Sequence, residues 1–311
     1  LPHMRYGRRT YPRGPLPNVS SFTQPPVFAR ALHAAKLAGL AASGETLFTA
    51  LLTKAERALD ALWRERSRDG LLVIVHPWEA GTDDSPRWDS WIGSSTWRRR
   101  VWTKADRELL DTTVFSAEDV AIDNPCFVVA PASFNAIAAD AALTLGDLLD
   151  DESWRNRGRA LAKTLDDAAW DDGQQLWSDV ALRGGGDSSR IPTSDAVLPA
   201  LCTPDHGRAE KALSQLTLPD RFGAPYGPRF VPLGEPSYHP DQYWRGPTWP
   251  QLNYLDVLAA RRAGLGSIAT DLATTTQRGV LRAGFSEFWN PETGRGLGAK
   301  PQTWSAVAAA L

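Results

Sequence analysis

The sequence predicts a mainly α protein whose helix pairs stack around a central axis as a toroid, with short β-hairpins in the connecting loops. Three observations predict it. Apolar residues recur three and four apart over most of the chain, which is the helical period. Strand signals are few and short. A motif also returns three times: an aromatic residue closes a helix, a turn carrying glycine follows, and a short extended piece leads on. Trp63 precedes Arg68-Asp69-Gly70, Trp170 precedes Asp171-Asp172-Gly173 and Leu176-Trp177, and Trp289 precedes Thr293-Gly294 and Leu297. Such units bury their apolar faces only by stacking on neighbours. The loops at one end of a ring of them converge on a cup, the natural place for a concave polar site.

Element by element, helical periodicity covers 27–40, 44–68, 133–150, 152–169, 207–218, 250–265 and 266–282. A last stretch, 301–311, reads as a helix cut off where the sequence ends. Short strands are expected at 71–75, 175–180 and 229–231. The glycine run Gly184-Gly185-Gly186 opens no helix, so it reads as a flexible loop rather than a phosphate cradle. The first residues, rich in Arg, Pro and Gly, read as an extended arm over 1–26, and His3-Met4 resembles a cloning junction.

With 311 residues and 42% hydrophobic content, the chain can bury one sizeable core. A net charge of −2 gives no reason to expect nucleic acid or an anionic membrane as partner. No apolar run approaches the ~20 residues of a membrane span. Cys126 and Cys202 share no metal-ligand spacing and read as buried thiols of a reducing, cytoplasmic compartment, with a disulfide between them as the alternative that spacing does not exclude. His33, His206 and His239 show no ligand spacing either. Thirteen tryptophans against six tyrosines is the unusual count. About half cluster beside polar loops, where an indole face can stack on a sugar ring.

Three constellations could carry chemistry. The run His76 to Asp89 holds Glu79, Asp83, Asp84 and Asp89 with Trp78, Arg87 and Trp88. Gly81 allows a sharp turn and Pro86 restrains the residue before it. A carboxylic acid among neighbouring carboxylates and rings gains a raised pKa and can act as a general acid. Equally, Asp83, Asp84 and Ser85 are good helix caps. In Tyr243-Trp244-Arg245-Gly246-Pro247-Thr248-Trp249-Pro250, rings frame a guanidinium able to hold a carboxylate or a sugar hydroxyl with two prongs. The other reading is an aromatic plug with a structural ion pair. In Gly284 to Pro291, Glu287 sits among rings, an expensive place for a charge without purpose or partner. It either activates a water or braces the fold by pairing with Arg245 or Arg282.

These segments together resemble inverting glycosidases on an (α/α)6 barrel: trehalases, processing α-glucosidases, and the bacterial mannosylglycerate and glucosylglycerate hydrolases of glycoside hydrolase family 63. The resemblance runs in order through Thr23-Gln24-Pro25-Pro26, the 76–89 run, residues 123–137, residues 243–253 and residues 285–298, closing on Trp304-Ser305-Ala306. It implies one (α/α)6 catalytic domain over 27–311, with a short cap or loop region around 84–125. It implies Asp83 as general acid and Glu287 as general base. Gln24 would help hold glycerate. Trp78, Glu79, Gly81, Arg87 and Trp88 would border the sugar, with Tyr243, Trp244, Arg245, Gly246, Trp249 and Trp304 lining its subsite. The segment 101–123 departs from the family: it is short and carries no tyrosine where relatives have a mobile loop over the glycerate carboxylate.

The expected reaction is a direct displacement. Asp83 protonates the glycosidic oxygen while Glu287 deprotonates a water on the opposite face, which inverts the anomeric centre. No metal or cofactor is expected. The partner is a small glycoside, with self-association into a homo-oligomer left open. A polysaccharide lyase or sugar epimerase on the same toroid is the alternative, with Tyr238-His239 as its base. A catalytically weak sugar-binding protein is the third reading.

Overall fold

A computed structural model describes residues 22–94, 98–117, 120–185 and 187–311. Most of the expected arm over 1–26, and parts of the expected cap and of the glycine run, lie outside the described residues. The elements in chain order are α1 (Phe28–Leu37), α2 (Leu40–Ser43), α3 (Glu45–Arg66), β1 (Ser67–Arg68), β2 (Leu71–Leu72), α4 (Asp89–Ile92), α5 (Arg99–Thr112), β3 (Val114–Phe115), β4 (Ala121–Asp123), β5 (Val128–Ala130), α6 (Ala132–Leu149), α7 (Glu152–Ala169), β6 (Trp170–Asp171), β7 (Leu176–Trp177), β8 (Val180–Arg183), α8 (His206–Ser214), α9 (Pro250–Arg262), α10 (Gly266–Ala283), β9 (Phe288–Trp289) and β10 (Gly296–Leu297). Turns of 3-10 helix punctuate them, the longest over Ser194–Leu201 and Thr303–Ala310. The protein is mainly helical.

The threefold sequence echo is a structural repeat. The helices α3, α7 and α10 each run into an antiparallel hairpin of two-residue strands: β1 with β2, β6 with β7, and β9 with β10. In the first, Asp69 and Gly70 take φ of 50° and 80°, the left-handed pair that suits a tight hairpin turn.

Three expectations about secondary structure need correction. Residues 229–231 form no strand, because Phe230 bonds singly to two different loops: its amide donates to the Gly246 carbonyl and its carbonyl accepts from the Ser194 amide. Within the expected cap region, 99–112 is the helix α5, which buries Trp102, Ala105, Asp106 and Leu109 on one side. A helix-period stripe of that kind is an argument for helix that outweighs the segment's polarity. The strand β8, which pairs with β5, ends at Arg183, so Gly184 and Gly185 lie in a loop as expected. The last stretch is 3-10 rather than α-helix.

The chain divides into two compact units. The first takes the described residues up to Asp83, 99–168 and 179–185, and the second takes 84–98, 169–178 and 186–311. In the first, α6 packs on α1, α3 and β2. Every residue from Ala132 to Ala142 is buried, so α6 is apolar nearly all round, the mark of a core helix. Its few polar groups are matched. Asn135 bonds both backbone groups of Leu72, at 2.7 and 2.8 Å. Asp140 takes a two-pronged bond from Arg30, and the Asp179 carboxylate accepts the first-turn amide of Ala132 at 2.9 Å.

In the second unit, α9 packs on α10 and on the turns Ser194–Leu201 and Thr303–Ala310. Pro250 starts α9, where its missing N–H costs nothing. Val280, Ala283, Trp289 and Ala308 form a core cluster beneath the last hairpin. No described helix is long and apolar enough to cross a membrane. Cys202 is buried, but Cys126 is exposed, against expectation. It sits in a turn made by Asn124, whose side chain accepts the Cys126 amide and leaves the thiol outside.

Candidate active site

The first unit holds Gln24, Trp78, Glu79, Gly81 and Asp83. Glu79 is wholly buried. Its two oxygens accept four hydrogen bonds: two from Arg66 at 2.6 and 2.8 Å, one from the Val75 amide and one from the Thr23 amide. Its acceptor capacity is thus taken up within the protein, and it ties the segment before Gln24 to the loop that leads to Asp83. Gln24 donates to the Trp78 carbonyl, and Trp78 is half-buried, its ring 4.4 Å from that of His76. His76 is fixed in turn by the Asp106 carbonyl of α5, 3.0 Å from its Nε2. Gly81 takes φ of 74°, which permits the turn into Thr82 and Asp83. Asp83 itself is half-buried.

The loop that follows Asp83 belongs to the second unit and is held by two buried arginines. Arg245 is 1% exposed. Its guanidinium grips Asp89 at 2.5 and 2.9 Å and donates from Nε to the Asp84 carbonyl at 3.0 Å. Arg87 donates to Asp195 at 2.9 Å and lies over the Trp88 ring at 5.0 Å. Ser85 caps the turn Pro86–Trp88, so the capping reading holds for Ser85. Burial raises the Asp89 carboxyl above its ordinary value, with Arg245 pulling the other way. The structural ion pair weighed for Arg245 is therefore present, with Asp89 as its partner.

Glu287 lies where the ladder of β9 and β10 continues outward. Its amide donates to the Ala299 carbonyl, and the Ala299 amide returns a bond to Glu287 Oε2, both at 2.8 Å. Among the described residues Oε1 accepts no hydrogen bond and no cation pairs with the carboxylate, so the bracing reading fails. Trp304 donates its indole N–H to the Glu287 carbonyl at 2.8 Å. Gly298 makes room beside it: a Cβ there would lie 2.5 Å from Glu287 Oε2.

The aromatic loop is joined to this hairpin by a bridge between Thr248 and Trp289, at 2.9 and 3.2 Å. Trp244 and Trp249 stack with centroids 3.6 Å apart and planes 8° apart, and Trp249 stacks on Phe288 at 4.4 Å. Tyr243 meets Trp244, Trp249 and Phe288 edge-on. Trp244 and Trp249 are 2% and 1% exposed, whereas Tyr243 and Trp304 are half-buried. Trp88 is wholly buried. Trp244 holds φ at 53°, a strained backbone for a bulky residue, and among the described residues neither indole N–H of the stack finds a partner. At Gly246 a Cβ would lie 2.5 Å from the His239 carbonyl, so its role is to let two loops approach.

The lyase alternative meets a specific obstacle. Tyr238 donates its hydroxyl to Glu292 at 2.8 Å, and burial together with that carboxylate pushes its ionisation well up. A phenol held protonated is a poor base. Among the described residues no three His, Cys, Asp or Glu side chains gather to hold a metal. A groove of about 680 Å³ lined by Gln174, Gln175, Lys211, Gln215 and Arg221 includes none of the site residues.

Sequence reasoning passed over Asp195, the partner of Arg87, and Asp256, a carboxyl on α9. The signal was available: Asp256 interrupts the apolar stripe Leu252, Leu255 and Ala259. Phe288, the floor of the stack, was passed over as well.

Comparisons with known proteins agree on one family. The model described as "Mannosylglycerate hydrolase MGH1-like glycoside hydrolase domain" matches residues 1–305. The chain is 29% identical over 282 residues to a mannosylglycerate hydrolase of Thermus thermophilus, covering 79% of this chain and 65% of that protein, so it spans less than two thirds of that relative. It is 28% identical to a glucosylglycerate hydrolase of Mycolicibacterium hassiacum, covering 93% of this chain and 74% of that protein. Among solved structures, the GH63 mannosylglycerate hydrolase from Thermus thermophilus in complex with glucose superimposes with a TM-score of 0.80 at 27% identity, covering 98% of this chain and 78% of that one.

Proposed function

Because the chain belongs to the mannosylglycerate hydrolase MGH1-like glycoside hydrolase family, we propose that it is a glycosidase acting on a small α-glycoside. Glucosylglycerate and mannosylglycerate are the substrates in view, with the free sugar and glycerate as products. The observation that carries this reading is the state of Glu287: one carboxylate oxygen is fixed by the Ala299 amide, and the other accepts nothing from the described residues. That is how a general base must be set, oriented yet able to take a proton. The half-buried rings of Tyr243 and Trp304 offer apolar faces for a sugar, with the stack of Trp244, Trp249 and Phe288 as support.

In the reaction, Asp83 protonates the glycosidic oxygen and Glu287 deprotonates the attacking water. The two carboxyl groups should then stand roughly 6.5–9.5 Å apart, the separation that admits a water and inverts the anomeric centre. The recurring helix–hairpin units support an (α/α)6 toroid, with 27–311 acting as one catalytic domain and 1–26 as its arm. The two unbridged cysteines accord with a cytoplasmic enzyme.

The test is release of sugar from α-mannosylglycerate and α-glucosylglycerate. The wild-type protein should turn over at least one. Asp83→Asn and Glu287→Gln should each lower kcat by about 100-fold or more while still binding substrate, since general acid–base catalysis supplies ~10²–10⁴. Binding by the wild-type protein with no release of sugar would instead favour a sugar-binding protein.

A further inference from the structure

Two buried carboxyl groups in the second unit have no place in the reaction just described. Asp256 on α9 and Asp195 in the turn Ser194–Leu201 are both wholly excluded from solvent, and α9 packs directly on that turn. Asp195 Oδ2 accepts a hydrogen bond from Arg87 at 2.9 Å. Among the described residues, its Oδ1 and both oxygens of Asp256 have no hydrogen-bond partner. Three orphaned carboxyl oxygens in one dry place are costly, because each forfeits its water without compensation. With both groups ionised, two like charges would be buried in one packed region.

One proton resolves both problems. A hydrogen on Asp256 turns an acceptor into a donor, and a bond from it to Oδ1 of Asp195 satisfies two of the three orphans at once. Only one of the two carboxyl charges then remains, on the group that Arg87 grips. We propose that Asp256 is a neutral carboxylic acid that hydrogen-bonds Oδ1 of Asp195, and that this pair, acting through Arg87, fixes the loop following Asp83. Asp256 is thus a positioning residue, two side chains removed from that loop.

The surroundings agree. Burial, and after it the charge of Asp195, push the Asp256 carboxyl well above the ordinary carboxylate range. Asp195, with Arg87 behind it, is the ionised group that acts on Asp256. The buried face of α10 carries no titratable side chain, and Thr303–Ala310 contains none. Arg261 and Arg262, on α9 itself, are exposed.

The influence on turnover rests on the glycosidase reading, but the decisive test does not. In the protein in D2O at neutral pH, infrared spectroscopy should show the carbonyl stretch of a protonated carboxylic acid that Asp256→Asn removes. Stability should follow the linkage sign. A folded-state value raised above the unfolded one stabilises at low pH, and that contribution is lost as pH climbs through the folded value. Asn keeps a donor at every pH. The Tm of the wild type should therefore fall relative to Asp256→Asn as pH rises from about 4, the unfolded value. Asp256→Ala should lower kcat, with Asn restoring most of it. Absence of the infrared change, together with a Tm difference that is flat in pH, would overturn the proposal. So would a stoichiometric bound cation found by elemental analysis in the wild type and missing from Asp256→Asn.

Discussion

The amides of Glu287 and Ala299 exchange hydrogen bonds, the first to a backbone carbonyl and the second to the Glu287 carboxylate, each at 2.8 Å. This pairing orients the Glu287 side chain through a backbone donor, which has no rotamers of its own. It depends on the residue between them in space: Gly298 takes φ of 69° and leaves no Cβ against Oε2.

Gly298→Ala tests that dependence. The added methyl would lie 2.5 Å from Oε2 and must push the carboxylate aside. A non-glycine residue held at positive φ costs about 1–3 kcal/mol, so the protein should still fold. A misplacement of about 1 Å at a reacting group can cost on the order of 100-fold in rate. A large loss of kcat with a small change in urea midpoint is the expected outcome; the reverse pattern would mean that Gly298 serves only the turn.

Arg245 and Asp89 form a buried two-pronged pair. Arg245→Met should destabilise by about 3–5 kcal/mol, because it strands the Asp89 charge. The double variant Arg245→Met, Asp89→Leu should recover much of that stability, as apolar replacements of buried pairs do. Activity should not recover with it, since the bond from Arg245 to the Asp84 carbonyl is also gone. Urea unfolding and kcat measured side by side separate the two effects.

Trp244 should behave as a core residue. Its removal leaves a cavity under Trp249, and Trp244→Ala should cost about 3–5 kcal/mol. Trp244→Gly should be no worse than the alanine variant by more than about 1 kcal/mol, because glycine accepts the 53° φ without strain. Tyr243→Ala, at a half-buried ring, should raise KM more than it lowers stability. If Trp244→Ala raises KM and leaves stability intact, that ring meets the sugar.

Much of this arrangement was legible in the sequence. The repeat of aromatic, turn and short strand marked three real hairpins, because Asp-Gly and Thr-Gly pairs dictate tight turns locally. Helix α7 has the bounds its periodicity gave. The roles of the arginines were harder. Arg87 and Arg245 sit in loops between rings, and loop composition does not distinguish a side chain aimed at a ligand from one aimed at a distant acid. Their partners, Asp195 and Asp89, lie 108 and 156 residues away. Helix α5 was missed because the polar stretch around it outweighed a single apolar stripe.

The central claim is a single displacement at the anomeric carbon by a water that Glu287 activates. Proton NMR of the first sugar released from α-mannosylglycerate or α-glucosylglycerate tests it most directly. The β anomer should appear first and then mutarotate. The α anomer appearing first would mean two displacements, and would contradict the assignment of Glu287 as general base.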